Sequence, residues 1–215
     1  MATLATGKAD ELSAVSNEAR EQVEMTIPYV ARIGVEGVCP IIFHRWSVDS
    51  VEEKSKAAKG SKAKRTDDTA SYVYRNEDGL ICIPGEYIRM AIINAAKYKQ
   101  DPRSPRKSLM DLAKAAIFCL EELSPIKSAA GKSTKEWDYI DRRRCVVQRN
   151  GLTRSRPAFH AGWKAEFSMQ VVLPEYIGPQ LLNELAQTAG KIVGLADQRP
   201  SYGRFLVTSF KCSEV

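Results

Sequence analysis

The chain has 215 residues, of which 44% are hydrophobic and 27% are charged, a composition ordinary for a folded globular protein. Its net charge of +6 is compatible with a polyanionic partner but does not by itself indicate one. No apolar run is long enough for a membrane-spanning helix, and Met1 to Arg20 lack a signal-peptide pattern, so we expect a cytoplasmic protein without membrane contact.

The cysteines and histidines indicate neither a metal site nor a disulfide framework. Five cysteines are scattered along the chain without a C-x-x-C pair, and only two histidines occur. A structural zinc site needs four closely spaced ligands, and disulfide frameworks belong mainly to small secreted domains. We therefore expect free thiols, no bound metal and no cofactor.

The first quarter of the chain changes character twice. Residues 1–25 are polar and mixed in charge, which predicts a mobile or loosely helical N-terminal arm. Apolar residues then alternate from Tyr29 to Val35, which predicts a half-buried strand. The following stretch, 51–70, is rich in Ser, Lys and Ala and cannot contribute to a core, so we expect a flexible loop or a segment that orders on binding.

The next elements are a hairpin and two helices. Residues 72–83 form the predicted hairpin, with its turn at 77–79. A helix is expected to begin at Ile83-Pro84-Gly85-Glu86, because proline is favoured in the first helical turn and an acidic side chain complements the helix dipole there. Its inward residues are expected to be Ile88, Ile92, Ala95 and Ala96. The apolar spacing then predicts a second helix over 108–123.

The last third predicts a second hairpin, two strands and a helix. Residues 142–156 form the predicted hairpin, with its turn at Asn150-Gly151. Alternation is clearest over 163–171, which predicts a strand. A helix over 179–189 with Gly190 as its C-cap and a last strand over 205–210 complete the chain.

This order of elements predicts an α+β fold. Strands and helices do not alternate regularly, which disfavours a parallel doubly wound sheet. The order suits a ferredoxin-like or RRM-like antiparallel sheet with its helices on one face. We expect one domain over 26–215, with long basic insertions at about 46–75 and 124–160.

Positive charge is concentrated in three segments: 54–65, 97–107 and 142–156. Clustered lysine and arginine bind a phosphate backbone by displacing its counterions, and arginine adds bidentate contacts to phosphate oxygens. These segments therefore predict nucleic-acid binding. The candidate nucleic-acid-binding residues are His44, Arg45, Trp46, Lys54, Lys56, Lys59, Lys62, Lys64, Arg65, Arg89, Lys97, Arg103, Arg106, Lys107, Arg142, Arg143, Arg144, Arg149, Arg154, Arg156, Arg199 and Arg204.

Aromatic residues near these charges are candidates for stacking on unpaired bases. Most aromatic side chains at strand spacing belong to the core, so residues that flank loops are the better candidates. By this criterion Trp46 and Phe159 are the better stacking candidates, ahead of Tyr72, Tyr74, Tyr98 and Trp163.

Two catalytic interpretations are weaker. Residues 129–134 resemble the end of a phosphate-binding P-loop, but Ile126 stands where that motif needs a glycine. His44 and His160 are candidate acid–base groups for RNA cleavage, since histidine titrates near neutral pH. Neither has a recognisable catalytic partner in the sequence, so we expect a protein without enzymatic activity.

The glycine-rich segment 190–205 is the most specific feature of the sequence. Its glycines permit positive φ angles and the close approach of another backbone. Arg199 and Arg204 place two guanidinium groups beside this turn.

Two motifs resemble the RAMP superfamily of CRISPR-associated proteins, in particular the repeating backbone subunit of Cascade-like effector complexes. One is Ile83-Pro84-Gly85-Glu86-Tyr87-Ile88-Arg89, and the other is the loop that ends in Arg199-Pro200-Ser201-Tyr202-Gly203-Arg204-Phe205. Together they cover about a tenth of the chain, and their order extends the resemblance loosely over 26–210. Ala196 stands where such loops often repeat glycine.

The resemblance implies an RRM-like palm, a finger-like loop at 46–75 and a thumb-like hairpin at 142–156. It implies a non-catalytic subunit whose copies assemble side by side along a single-stranded guide RNA, with Arg89 and Lys97 facing that RNA. Target DNA or RNA and other effector subunits are further expected partners. The alternatives are a RAMP-type endoribonuclease that uses His44 or His160, and a phage or mobile-element protein of the same fold that binds single strands or inhibits a partner.

Overall fold

The computed structural model describes residues 27–46, 52, 56, 68–147 and 150–214. Within this part of the chain lie twelve strands and three α-helices. The strands are β1 (Tyr29–Gly37), β2 (Ile41–Ile42), β3 (Tyr74–Arg75), β4 (Ile81–Pro84), β5 (Gln100–Asp101), β6 (Ser104–Ser108), β7 (Ile117–Cys119), β8 (Leu123–Pro125), β9 (Tyr139–Val147), β10 (Asn150–Phe159), β11 (Lys164–Val171) and β12 (Phe205–Glu214). The helices are α1 (Gly85–Ala96), α2 (Met110–Ala116) and α3 (Pro179–Thr188).

The central sheet has the strand order β12-β1-β11-β7, and all its neighbours are antiparallel. Taken with the two longer helices, the chain order is β1-α1-β7-β11-α3-β12. This is the βαββαβ arrangement of a ferredoxin-like fold, with the first and third strands of the motif in the centre of the sheet. The α+β class predicted from the order of elements is confirmed.

The core lies between this sheet and its helices. Alternate residues of β1 and β11 point to the same face, and Ile33 lies opposite Phe167 there, both fully buried. Ile88 and Ile92 of α1 pack into the same apolar cluster, as the predicted inward stripe requires. Burying each such side chain contributes about 1.5–3 kcal/mol, so the pairing of sheet and helices is strongly favoured.

Three smaller sheets flank the central one. β3, β4 and β8 form one, which confirms the hairpin predicted at 72–83, and β5 pairs with β6 in another. The third has the order β2-β10-β9 and contains the arginine hairpin, our name for β9 and β10. Its base is anchored because Ala158 and Phe159 pair with β2 and are fully buried.

The predicted helix over 108–123 is wrong beyond residue 116. α2 ends at Ala116, and Ile117 to Cys119 form β7, whose residues pair with Met169 to Val171 of β11. The helical spacing of apolar residues in this segment reflects α2 alone. Pairing along the edge of β11 overrides the local preference for helix, as tertiary context often does.

The turn predicted at Asn150-Gly151 is also wrong. Asn150 pairs with Val147 and Gly151 with Val146, so both residues belong to β10. The pairing register of β9 and β10 is therefore set by the buried residues at the base of the hairpin and not by the Asn150-Gly151 turn sequence. A shift of one residue would move Arg156 from one face of the hairpin to the other.

Gly190 does not cap α3 as predicted. The chain continues in a π-helical turn over Ala189–Val193, and the left-handed residue is Gly194, with φ of 76°. A Cβ at position 190 would overlap the backbone carbonyl of Phe205. Glycine is required at 190 because β12 passes close to it.

The terminal loop, residues 194–204, is fixed to the segment that follows β1. The Gly203 amide donates to the Pro40 carbonyl (2.9 Å), and the Asp197 amide donates to the Ile42 carbonyl (3.1 Å). Gly203 has φ of 72°, and a Cβ there would overlap the backbone of Leu195. The path of the loop therefore depends on a glycine at 203.

Replacing Gly203 with alanine tests this path. We expect Gly203→Ala to lower the free energy of unfolding by roughly 3 kcal/mol, because it combines a left-handed φ with a backbone clash. Gly79→Ala is the matched control, since Gly79 has φ of 77° but open space around it, and should cost only about 1–2 kcal/mol. Urea unfolding measures both, and equal losses would contradict the clash.

Candidate nucleic-acid interface

The arginine hairpin and the terminal loop meet at Asp197. Its Oδ2 lies 3.0 Å from Nε of Arg156 and 3.8 Å from Nδ1 of His44. The Arg156 side chain is only 6% exposed, so its charge needs a counter-ion close by. Asp197 supplies that charge and thereby holds the loop against β10.

His44 is held between the same two elements. Its Nε2 lies 2.8 Å from Nη1 of Arg154. A guanidinium group can only donate, so Nε2 accepts this hydrogen bond and the ring proton of the neutral histidine resides on Nδ1, facing Asp197. The ring also packs edge-on against Tyr72 at 4.6 Å. Nε2 of His44 is therefore engaged by Arg154, and Nδ1 faces the Asp197 carboxylate.

The two faces of the arginine hairpin differ. Directly opposed residues of an antiparallel pair share a face, so Arg143 and Arg154 lie together on the face that carries Arg156. Arg143 reaches both oxygens of Asp141 at 2.9 Å and lies over the Tyr202 ring of the terminal loop at 4.6 Å. This face serves the contact between hairpin and loop.

The other face of the hairpin carries free positive charge. Arg142 lies opposite Ser155, and Arg144 lies opposite Thr153. Both arginine side chains are exposed and form no hydrogen bond or ion pair within the described ranges. Arg199 and Arg204 are likewise exposed on the terminal loop. We use the name arginine surface for these four exposed residues of hairpin and loop, of which the hairpin pair lies on the hairpin face that points away from the loop: Arg142, Arg144, Arg199 and Arg204.

Arg89 is a candidate that the fold uses internally. Its Nε donates to the Ile117 carbonyl (2.7 Å), and its Nη2 donates to the Lys114 carbonyl (2.9 Å). Its Nη1 donates to Glu86 at 2.8 Å. All three nitrogens therefore bind α1 and the α2–β7 junction, and the side chain is only 18% exposed.

Two further candidates are engaged by local partners. Arg103 forms two hydrogen bonds to the Asp101 carboxylate, which hold the pKa of Asp101 down at about 2. Arg45 lies over the Tyr74 ring at 5.1 Å. These contacts orient both guanidinium groups on the surface of the fold.

The basic segment 97–107 does not join the arginine surface. Arg103 packs on Tyr176, next to Ile177, whose carbonyl accepts from the Tyr29 hydroxyl at the start of β1. The terminal loop is bound beyond the other end of β1, a nine-residue strand that spans about 27 Å. The exposed residues Arg106 and Lys107, in the same β5–β6 hairpin as Arg103, therefore lie towards the opposite end of the central sheet. Lys97 is exposed directly after α1.

The lysine-rich segment falls largely outside the described residues. Of its members only Lys56 is described, 3.9 Å from Glu52. The following candidates lie outside the described residues: Lys54, Lys59, Lys62, Lys64, Arg65 and Arg149.

The aromatic candidates differ in exposure, since Trp46 lies on the surface while Phe159 and Trp163 lie in the core. Trp46 is 72% exposed beside Arg45, as a base-stacking residue requires. Phe159 is fully buried and packs edge-on against Phe43, so its predicted role in stacking is wrong. Trp163 is also core, and its indole donates to the Cys39 carbonyl at 2.9 Å.

The two motifs that resemble the RAMP superfamily line one cavity of about 390 Å³. Glu86 and Tyr87 contribute from α1, and Asp197 and Arg199 contribute from the terminal loop. Asp197 was not singled out in the sequence, although it is the one carboxylate between residues 190 and 205. That isolation among basic residues was the available signal.

The described part of the chain lacks two features. No helix there has the length and apolar character needed to cross a membrane. No three His, Cys, Asp or Glu side chains cluster there as metal ligands.

No protein-family model and no curated protein matches the chain. Among solved structures it is similar to a chain of the cryo-EM structure of the type III-B Cmr-beta bound to cognate target RNA. The TM-score is 0.52 over 96% of this chain and 68% of that chain, at 7% sequence identity. At this identity the likeness shows a shared fold alone.

Two substitutions of His44 test the role of its ring nitrogens. His44→Leu leaves Nη1 of Arg154 without its acceptor, so we expect the free energy of unfolding to fall by about 1–3 kcal/mol. His44→Gln retains an acceptor and a donor and should cost clearly less. Chemical denaturation followed by circular dichroism measures both values. An unchanged free energy in His44→Leu would mean that the contact contributes nothing.

Proposed function

We propose that the chain is an RNA-binding subunit of a CRISPR-type ribonucleoprotein. In this proposal it grips the phosphate backbone of a single-stranded guide RNA without strong sequence preference. Copies of the chain assemble side by side along that RNA, together with other effector subunits, and target DNA or RNA is a further ligand. The chain has no enzymatic activity in this proposal.

The observation that carries the proposal is the arginine surface. Four exposed guanidinium groups lie on two elements that are fastened together through Asp197. Guanidinium groups bind phosphate oxygens in bidentate fashion, and each contact that displaces a counterion strengthens binding independently of sequence. Rigid attachment of the loop to the hairpin fixes the spacing between these groups before RNA arrives.

The residues on the open face of the central sheet favour RNA binding by the hairpin and the loop over RNA binding by the sheet. RRM domains stack bases on aromatic residues of their central strands. At the corresponding outward positions β1 carries Arg32 and Glu36, and β11 carries Lys164 and Glu166. Lys164 and Glu36 pair across the strands at 3.4 Å, so charge here is locally balanced.

The fold supports the same proposal. A chain of similar fold occurs in the type III-B Cmr-beta structure bound to target RNA, and the similarity extends over nearly the whole of this chain. Both sequence motifs with RAMP resemblance line one cavity beside the arginine surface. Guide-RNA binding and side-by-side assembly are inferred from these two observations together.

The histidine contacts disfavour the ribonuclease alternative. His44 accepts from Arg154 through Nε2, so this nitrogen is not available to a substrate, and Nδ1 lies 3.8 Å from Asp197. His160 is exposed, and its ring stacks on Tyr139 at 4.6 Å. No specific contact among the described residues favours the inhibitor alternative.

Neutralising the hairpin tests the proposed phosphate contacts. We expect Arg142→Gln with Arg144→Gln to weaken binding of a single-stranded RNA, measured by fluorescence anisotropy over a salt series. Losing two phosphate contacts should reduce the slope of log affinity against log salt by roughly 1.4. The matched control, Arg106→Gln with Lys107→Gln, removes two charges near the other end of the sheet and should leave the slope nearly unchanged.

Equal losses in the two double variants would mean that only total charge matters, which contradicts the interface. Failure of the unaltered chain to bind RNA at low salt would contradict the function. The number of bound copies should rise in proportion to RNA length, and sedimentation velocity with RNAs of increasing length measures this number.

Incubation with end-labelled RNA tests the absence of cleavage. We expect the RNA to stay intact with magnesium, with manganese and with a chelator. A catalytic histidine needs an open ring nitrogen and a second side chain to assist it, and neither His44 nor His160 combines the two among the described residues. Gel electrophoresis reads the result. A discrete product that disappears in His160→Ala would support the ribonuclease alternative instead.

A further inference from the structure

The basic segment 97–107 carries positive charge that the proposed RNA contacts leave unused. Arg106 and Lys107 are exposed in the β5–β6 hairpin, and Lys97 is exposed directly after α1. None of the three side chains forms a hydrogen bond or an ion pair with any residue that the structure describes. Their charge is therefore available to an anionic partner.

The other two cations of the segment already have counter-ions. Lys99 lies 2.8 Å from Glu184 of α3, and Arg103 lies 2.8 Å from Asp101. The hydrogen bonds from Arg103 lower the pKa of Asp101, and the nearby charge of Lys107 lowers it further. Lys107 therefore lies close to the Arg103–Asp101 pair, in one continuous basic surface.

Two exposed tyrosines border these charges. Tyr98 is 68% exposed, and Tyr176 is 36% exposed with Arg103 over its ring at 5.4 Å. Aromatic and arginine side chains are enriched where polypeptides bind one another. The exposed Glu175 offsets at most one of the three free cations. We call the following residues the second basic patch: Lys97, Tyr98, Arg103, Arg106, Lys107 and Tyr176.

The chain enters the central sheet beside this patch. Tyr29 begins β1, and its hydroxyl donates to the Ile177 carbonyl at 2.9 Å. Ile177 directly follows Tyr176, on which Arg103 packs. The N-terminal arm, residues 1–25, lies outside the described residues, but it joins the fold at this end of the sheet through the exposed Ile27.

The arm has the charge that the second basic patch lacks. Against Lys8 and Arg20 it carries five carboxylates: Asp10, Glu11, Glu18, Glu21 and Glu24. Glu24 precedes Tyr29 by five residues and Glu18 precedes it by eleven. An extended chain of these lengths spans at most about 17 to 40 Å, which is enough to reach the patch from the start of β1.

We propose that the N-terminal arm docks in cis on the second basic patch, with its last three glutamates against the three free cations. Exposed ion pairs are individually weak, but a short tether supplies the arm at roughly millimolar effective concentration. The arm of a second copy would bring the same charges without this tether, so the position of the arm favours the cis contact.

The docking has a consequence for RNA binding, and this consequence rests on the proposed function. An arm that neutralises the second basic patch prevents phosphate groups from binding there. RNA is then directed to the arginine surface, although 97–107 is equally rich in basic residues. The contact between arm and patch itself does not require RNA.

Carbodiimide crosslinking of the intact chain without RNA tests the contact. The reagent joins a carboxylate to a lysine amine with loss of water, and mass spectrometry identifies the joined peptides. We expect the arm glutamates to join Lys97 or Lys107, with a yield that falls several-fold at about 1 M salt, where the Debye length is only about 3 Å.

Lys211 is the matched control for reach. It is exposed on β12 opposite Arg32, three residues along β1 from Tyr29, but it lies outside the patch. Equal yields at Lys211 and at the two patch lysines would overturn the docking. An equal mixture of isotopically labelled and unlabelled chains tests the cis contact, because crosslinks that join the two isotopes would overturn it in favour of a neighbouring copy.

Neutralising the arm tests the consequence for RNA. Glu18→Gln with Glu21→Gln and Glu24→Gln should uncover three cations. For a single-stranded RNA long enough to span the sheet, we expect the slope of log affinity against log salt to steepen by roughly 2. Adding Arg106→Gln and Lys107→Gln to this variant should reverse roughly 1.4 of that change, whereas the same pair has little effect while the arm covers the patch.

A second triple variant changes the net charge equally at exposed acids outside the arm: Glu77→Gln, Glu122→Gln and Glu136→Gln. Its slope should stay nearly unchanged. Equal steepening in the two triple variants, or no steepening in the arm variant, would overturn the docking, because the patch would then be equally accessible with and without the arm charges. Absence of binding to every RNA at low salt would overturn the proposed function, while the crosslinks would still decide the docking.

Discussion

The candidate interface depends on the carboxylate of Asp197. The side chain of Arg156, in β10 of the arginine hairpin, is almost completely buried, and a buried guanidinium group is tolerated only with a counter-charge. Asp197 provides that charge from the terminal loop and also faces His44, which in turn accepts from Arg154. The loop is thereby tied to the hairpin at two points. Loss of Asp197 alone would remove the carboxylate beside the buried Arg156 side chain and weaken the attachment of the loop.

This tie divides the arginines of the chain into two groups with different roles. Arg89, Arg143, Arg154 and Arg156 hold elements of the fold together through donors aimed at carbonyls, carboxylates or a histidine. Arg142, Arg144, Arg199 and Arg204 are exposed and available to an anionic partner. A charge count treats these groups alike, although only the second group can exchange counterions for phosphate. The internal group sets the geometry that the exposed group presents.

The periodicity of apolar residues within single segments was sufficient to predict the fold class. It was insufficient to predict features that depend on how strands pair with one another. Alternation in β1 and β11 and the apolar stripe of α1 are properties of single segments, so the sequence revealed them. β7 was predicted as helix because its place at the edge of β11 is a long-range contact. Asn150 was predicted as a turn because the buried base of the hairpin, which fixes its register, is remote from the turn.

The sequence predicted which residue types form the site but not how they are arranged in space. Clustered basic residues identified the hairpin and glycines identified the terminal loop, but the clustering argument also included 97–107, where Arg103 lies towards the other end of the sheet. Residue type also failed to distinguish Arg89, whose donors bind carbonyls and Glu86, from Arg142, which makes no hydrogen bond to any residue that the structure describes. Asp197 escaped notice because its importance comes from Arg156 and His44, which are distant in sequence.

Photo-crosslinking of a 4-thiouridine RNA to the intact chain, followed by peptide mapping, tests most directly where RNA lies. The account predicts adducts in the hairpin, within 142–156, and in the terminal loop, within 194–204. Adducts confined to 97–107, or to the open face of the central sheet around Arg32 and Glu166, would contradict it.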